Sequence, residues 1–401
     1  MASVIVVEND LKDSVTEYSS IIDSIHKNTD FSTSLNEFLG DEITNKKELA
    51  SKIFSASTKE TLTSLSNKEF EPAFYLLSYL IKELEGLTIE QAFSNDSKIV
   101  SLLKECTPSQ QPSLRDRKSL KPTTVLSAFN SFFNLLPPTS VSRIDIIQTI
   151  LSIVSETQVG FELIQSSIGD NLLNWLKAAN ASGEQIRKLF WSFIALDTEF
   201  TQKSLELIKA FSAQYELSLD ELRELIKFSL SSSVVDVSFL VNNNVASALK
   251  QNSSDELVKV FVEYTHGNLI TSVPSSLTEE VIYKSKILAL ARFFVESEKS
   301  HQNTFKYNDI PSELVSSTAA FEKLLIDSIK AGVIEGKLNQ VEETFCLIRV
   351  NRLILAGDDQ KLAQDWEVVK STLLNWKQSL ENINEIVVSA KDNIVNNNNA
   401  N

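Results

Sequence analysis

The sequence predicts a mainly α-helical protein, with α-solenoid-like stacked helix pairs leading into a winged-helix module that carries a small β-hairpin, and then a long C-terminal helix. Three observations carry this. Only nine glycines and eight prolines occur in 401 residues, against average usages of about 7% and 5%. Few positions can therefore take positive φ or stop an element, which suits long helices joined by short polar turns. Apolar residues recur at helical spacing along most of the chain, then alternate over two short runs, then settle into a heptad seam.

The elements follow in order. Phe70, Ala73, Phe74, Leu76, Leu77, Leu80, Ile81 and Leu84 share one face of a helix over 70–84. Similar stripes predict helices over 125–136, 144–154, 186–196, 205–211, 219–230 and 257–264. Capping boxes, in which a Ser or Thr oxygen and a Glu or Gln three residues on satisfy each other's free amides, are expected at Thr88/Gln91, Ser182/Gln185, Ser218/Glu221, Ser253/Glu256 and Ser276/Glu279. The stretch 107–124, TPSQQPSLRDRKSLKPTT, interrupts the helices with three prolines and the basic cluster Arg115, Arg117, Lys118 and Lys121. It reads as an exposed loop, with contact to RNA or an acidic partner as the functional alternative. The Asn242–Asn244 run reads as a second polar interruption.

After a helix over 281–298, the polar linker SHQNTFKYND leads to a short helix over 310–315 with Pro311 in its first turn, then a helix over 318–331 that buries Phe321, Leu324, Leu325 and Ile329. Alternating residues over 333–338 and 344–350, separated by NQVEE, predict a β-hairpin. Three helices followed by two strands is the order of a winged helix. The outer strand offers an edge that another chain can extend, with Phe345, Leu347 and Arg349 as a possible interface and Cys346 as a core thiol. Beyond it, Trp366, Val369, Leu373, Trp376, Leu380, Ile383 and Val387 alternate steps of three and four. That a/d seam marks a helix that packs on other helices along its length; a helix folding back on its own domain is the alternative, and the seam's length and aromatic anchors favour an intermolecular bundle.

These elements divide the chain into a helical region 1–195, a segment 196–357 with helices to 282 and the winged helix over 283–357, a bundle helix 358–395, and a disordered Asn-rich tail 396–401. His266, before Gly267, is expected to cap a helix C-terminus, and Trp175 and Trp191 to lie in the core.

Composition excludes several chemistries. No Gly-x-Gly pair or P-loop run exists, which argues against a nucleotide enzyme. His26, His266 and His301 stand far apart without ligand spacing, which argues against catalytic zinc. No catalytic constellation, metal site or cofactor is expected. Cys106 and Cys346, widely separated, suit a reduced compartment. The apolar run at 4–7 lacks the cationic lead of a signal peptide, and no stretch is long enough to span a membrane, so a cytoplasmic protein is expected. The formal charge is −15. Residues 283–357 balance ten Lys or Arg against nine Asp or Glu, too few unopposed cations for DNA binding and better suited to packing against protein.

Helical pairs, then the hairpin run Ala331-Gly332-Val333-Ile334-Glu335-Gly336-Lys337-Leu338, then a long terminal helix, resemble the PCI family of complex subunits. PSLR at 112–115, LSAFNSFFNLL at 126–136 and LLNWKQSL at 373–380 add to the likeness. The chain departs from it by inserting DRKSLKPTT after PSLR and by its Asn-rich tail. The resemblance implies a non-catalytic scaffold in eukaryotic translation initiation factor 3, whose winged helices pack side by side and whose terminal helices gather in a bundle. Such an assembly acts on the small ribosomal subunit and promotes recruitment of messenger RNA and initiator tRNA. A signalosome or proteasome-lid subunit, and a stand-alone helical-repeat adaptor, are the alternatives.

Overall fold

Capping chemistry sets where the helices begin. Thr88/Gln91, Ser182/Gln185 and Ser218/Glu221 form reciprocal boxes, the last with Ser218 N–H to Glu221 Oε2 at 2.8 Å and Glu221 N–H to Ser218 Oγ at 3.3 Å. The expected Ser253/Glu256 box is replaced by Asp255, whose Oδ1 accepts from Leu257 N at 3.0 Å and Val258 N at 3.4 Å. The same carboxylate accepts from Arg223 Nη2 at 2.6 Å. This hydrogen bond holds the Asp255 carboxyl below its usual range. Ser276 caps nothing, because it sits in the turn closed by Leu277 N–H to Pro274 O at 3.0 Å and the next helix opens only at Glu280.

The structure is a computed structural model that describes residues 9–40, 43, 45–108, 116, 118–157, 159–298, 303–315, 317–352 and 359–398. Nineteen α-helices and a three-stranded antiparallel sheet lie among these residues, in two compact units, Met1–Thr198 and Glu199–Asn401. No helix among them is long and apolar enough to cross a membrane.

In the first unit the helix Phe70–Glu85 lies against Leu11–His26, Lys46–Ala56 and Pro122–Leu135. Its stripe is buried as the periodicity requires, and its Phe74 ring is centred 6.2 Å from Phe132 of Pro122–Leu135, on which Phe93, just past the helix Ile89–Ala92, also stacks at 4.3 Å. Pro122–Leu135 then packs on Ser142–Thr157, which packs on Gly183–Ile194. The helix Pro122–Leu135 starts three residues before its apolar stripe, because Pro122 has no N–H to leave unpaired in the first turn. Just ahead of it, Asn67 receives Lys121 N–H at 3.1 Å and the Thr124 hydroxyl at 2.6 Å on its side chain and donates its own N–H to Lys118 O at 3.0 Å. The end of the basic loop is thus pinned at Lys118 and Lys121, while Arg115 and Arg117 lie outside the described residues. Trp175 and Trp191 are half-buried rather than core, Trp175 resting at the rim against Phe133 at 4.8 Å.

The second unit begins with four helices, Gln202–Gln214, Leu219–Ser231, Asn243–Gln251 and Glu256–Thr265. Asn242–Asn244 is not an interruption here. Asn242 Oδ1 caps Val245 N–H at 3.0 Å, and Asn244 Nδ2 donates to Ser212 O at 2.9 Å, so the run opens a helix and ties it to its neighbour. His266 ends Glu256–Thr265 with its Nδ1 2.7 Å from Val262 O. The helix Glu280–Glu298 joins this helical part to the sheet. Its Lys284 ammonium donates to Leu230 O at 3.0 Å and also to Ser232 O, filling carbonyls at the end of Leu219–Ser231. Burial pushes the Lys284 pKa down.

The expected module is corrected at four points. The linker contains a strand, β1 (Thr304–Lys306), which pairs antiparallel with β3 (Thr344–Val350), and β2 (Ile334–Asn339) pairs with β3 on its other side. The order is β1-β3-β2, so β3 is central. The short helix expected over 310–315 is a turn closed by Leu314 N–H to Pro311 O at 3.0 Å, too short to form an i to i+4 ladder. In the helix Thr318–Lys330, Phe321, Leu324 and Leu325 are buried, but Ile329 is exposed because the sheet covers only one side of that helix. Gly332, at φ +70°, follows that helix and lets Val333 N–H return to Ser328 O at 3.1 Å, which turns the chain into β2.

The core between helix and sheet is aromatic. Phe294 lies 4.9 Å from Phe305 and 5.5 Å from Phe345, and Tyr307 meets Phe321 at 5.0 Å. Gly336 sits where β2 shifts register and passes over the Phe345 ring, and a Cβ there would also come within 2.6 Å of Cys346 O. The expected Asn-rich tail is shortened, since the terminal helix Asp359–Asn398 includes Asn396 to Asn398. Residues 399–401 lie outside the described residues.

Candidate protein-interaction surface

The terminal helix has 40 residues, about 60 Å at 1.5 Å per residue. Steps of three and four keep Trp366, Val369, Leu373, Trp376, Leu380, Ile383 and Val387 along one line of it. Val369 is half-buried, and the other six are exposed, Trp376 at 68% and Leu373 at 57%. Single exposed apolar side chains are ordinary on a protein surface, but a contiguous stripe of this length is not. Complete burial of each Leu, Ile or Val here is worth about 1.5–3 kcal/mol, of which association retains only a part. Leu374, Ile386 and Val388 are exposed as well and widen the apolar arc. A heptad reading restricted to a and d positions passes over them, since Ile386 is at a flanking g position and Leu374 and Val388 are at b, beyond the e flank.

The sheet does not present the expected edge. Phe345 is fully buried and Leu347 nearly so, because alternation along β3 turns both toward Phe294 and the core. β1 covers Thr344–Cys346 on one side, Leu347 N–H donates to Asn303 O at 2.7 Å, and β2 covers the other side. Arg349 is opposite Glu335 and its Nε is 3.7 Å from that carboxylate. Among the described strands the unpaired sides belong to β1 and β2. β2 carries Glu335 and Lys337 there, charges that discourage unselective strand addition.

Cys346 is exposed, not a core thiol, since the same alternation that buries Phe345 and Leu347 turns it outward. Cys106 is buried, and burial pushes its thiol up to about 12. A soluble aromatic disulfide reagent is therefore expected to titrate one thiol in the native chain and two after denaturation. Cys346→Ser should remove the native signal, and rapid native labelling of both thiols would contradict the burial of Cys106.

A second exposed apolar group lies on the helix side of the module. Ile326 and Ile329 point outward from Thr318–Lys330, and the Tyr283 hydroxyl beside them donates to Asp327 Oδ2 at 2.7 Å. The hairpin tip adds Val341 with Glu342 and Glu343, an acidic end that repels a phosphate backbone. In the first unit an open polar cleft of about 360 Å³ is lined by Asn95, Lys104, Asp145, Gln148, Ser152 and Glu156 among others. Lys104 Nζ is held by Asn95 Oδ1 at 2.6 Å, and burial raises the Asp145 pKa. The cleft offers no nucleophile paired with a base. No group of three or more His, Cys, Asp or Glu among the described residues is placed to hold a metal ion.

No family model matches the chain, that of the PCI family included. Curated proteins match it over most of its length. Eukaryotic translation initiation factor 3 subunit M of Coccidioides immitis is 26% identical over 376 residues, covering 87% of this chain and 76% of the relative. Proteins of the same name from Aspergillus clavatus (24% over 434 residues; 98% and 87% covered) and Emericella nidulans (24% over 413; 95% and 84%) are similar to it as well. The chain is therefore close to subunit M of initiation factor 3 along nearly its whole length.

Proposed function

We propose that this chain is a non-catalytic subunit of a eukaryotic translation initiation factor 3 assembly in the cytoplasm. In this reading the terminal helix enters a bundle with helices of other PCI-type subunits. The module of Glu280–Glu298, the sheet and Thr318–Lys330 serves as a winged helix that packs on protein and not on DNA. The chain helps the assembly form on the small ribosomal subunit and recruit messenger RNA and initiator tRNA. The observation that carries the reading is the long exposed seam on Asp359–Asn398, in a chain similar over most of its length to initiation factor 3 subunit M.

Removing residues 359–401 tests it. The shortened chain is expected to remain folded, because none of the exposed seam residues contributes to either core, yet to drop out of the assembly in affinity purification followed by mass spectrometry. A shortened chain that still co-purifies with every partner overturns the bundle. Recovery of signalosome or proteasome-lid subunits in place of initiation factor subunits overturns the assignment.

A further inference from the structure

With Trp366 at a and Val369 at d, the e positions of the terminal helix are Lys370, Lys377, Asn384 and Lys391. The helix has four lysines and no arginine, so three of its four cations stand at a single heptad position. Glu367, Glu381 and Glu385 fall at b and f, on the face away from the seam. In a chain of net charge −15, one flank of the apolar line is thus locally reversed in sign. Lys370, Lys377 and Lys391 are all exposed. Lys370 Nζ lies 3.2 Å from Glu367 and Lys377 Nζ 3.8 Å from Glu381. Such intrahelical pairs in water are worth only about 0.2–0.5 kcal/mol and exchange readily for an interhelical partner.

We propose that the terminal helix docks on a helix of a different protein whose facing flank is acidic, with Lys370, Lys377 and Lys391 fixing its register. This rests on the reading of the seam as an assembly surface. Flanking charges at e and g set partner choice in helical bundles while the seam supplies the burial. A second copy of this chain fits poorly. Antiparallel, e faces e and lysine meets lysine. Parallel, e faces Asp365, Thr372, Ser379 and Ile386, and only the first offers an opposite charge.

Zero-length carbodiimide cross-linking of the affinity-purified assembly, read by mass spectrometry, tests the proposal in the full-length chain. Lys370, Lys377 and Lys391 are expected to link to Asp or Glu residues spaced by seven and fourteen residues in one helix of another subunit. The variant Lys370→Glu/Lys377→Glu/Lys391→Glu is expected to be retained about tenfold less well at physiological salt. Links confined to Glu367 and Glu381 of the same chain, or to a second copy, overturn the proposal. So does binding of the parent chain to phosphatidylcholine–phosphatidylserine vesicles that the triple variant loses, which would give the lysines to a lipid surface. If deleting 359–401 leaves retention intact, the assembly reading itself has failed. If deletion abolishes retention and the triple variant does not, the seam stands and the acidic flank alone is wrong.

Discussion

The double variant Leu373→Ala/Trp376→Ala is expected to melt at the parent's temperature while binding its assembly more than about a hundredfold less tightly. Both side chains are more than half exposed, so the folded chain loses almost no buried area when they are truncated. Alanine is the best helix former, so the helix itself is not weakened. In a bundle the same two positions lie at the middle of the seam, where truncating a desolvated Trp or Leu anchor costs about 2 kcal/mol or more each. A circular dichroism melt and a quantitative pull-down of the full-length variant read the two halves. A variant that binds like the parent removes the seam from the interface. A variant with a lowered melting temperature places these residues in a core.

That prediction was legible in the sequence because the seam is a local pattern. Spacings of three and four define a line on a helix whatever lies beyond it. The same holds for the stripe on Phe70–Glu85 and for the three capping boxes, each decided within a few residues. What escaped reading depended on distant chain. β1 is three residues, Thr304 to Lys306, inside a polar linker, too short for any period, and it exists because Cys346, Phe345 and Thr344 stand opposite it. Once β1 is missed, β3 looks like an edge, and Phe345, Leu347 and Arg349 look available. The burial of Phe345 and the exposure of Cys346 are one fact, since a strand alternates and only the position of Phe294 decides which side is inward. Ser253 and Asp255 show a local version of the difficulty. Both residues can cap, and Arg223, from the neighbouring helix, favours Asp255.

The sheet module should respond in the opposite way to the seam. Phe345→Ala is expected to lower the local stability of the second unit by about 3–5 kcal/mol, the usual cost of removing a buried ring and leaving its cavity. Phe345 is fully buried against Phe294, and its ring also fills the space left by Gly336. Gly336→Ala alone is expected to cost about 1–3 kcal/mol, because the added methyl runs into that ring and the Cys346 carbonyl. The two costs should not add. With the ring gone, the methyl of Gly336→Ala enters the vacated space and meets only the carbonyl, so the double variant should be more stable than the sum by about 0.5 kcal/mol or more. Tryptophan fluorescence is a poor probe, since the four tryptophans lie in the first unit and the terminal helix. Amide hydrogen exchange along β2 and β3 reads the module directly. Strict additivity would mean that Gly336 is required by the Cys346 backbone alone. A shortfall means that the glycine and the ring are one packing decision, made where the chain leaves helical grammar. In these variants loss from the assembly should follow the fraction unfolded, whereas in the seam variants it should occur with the chain fully folded.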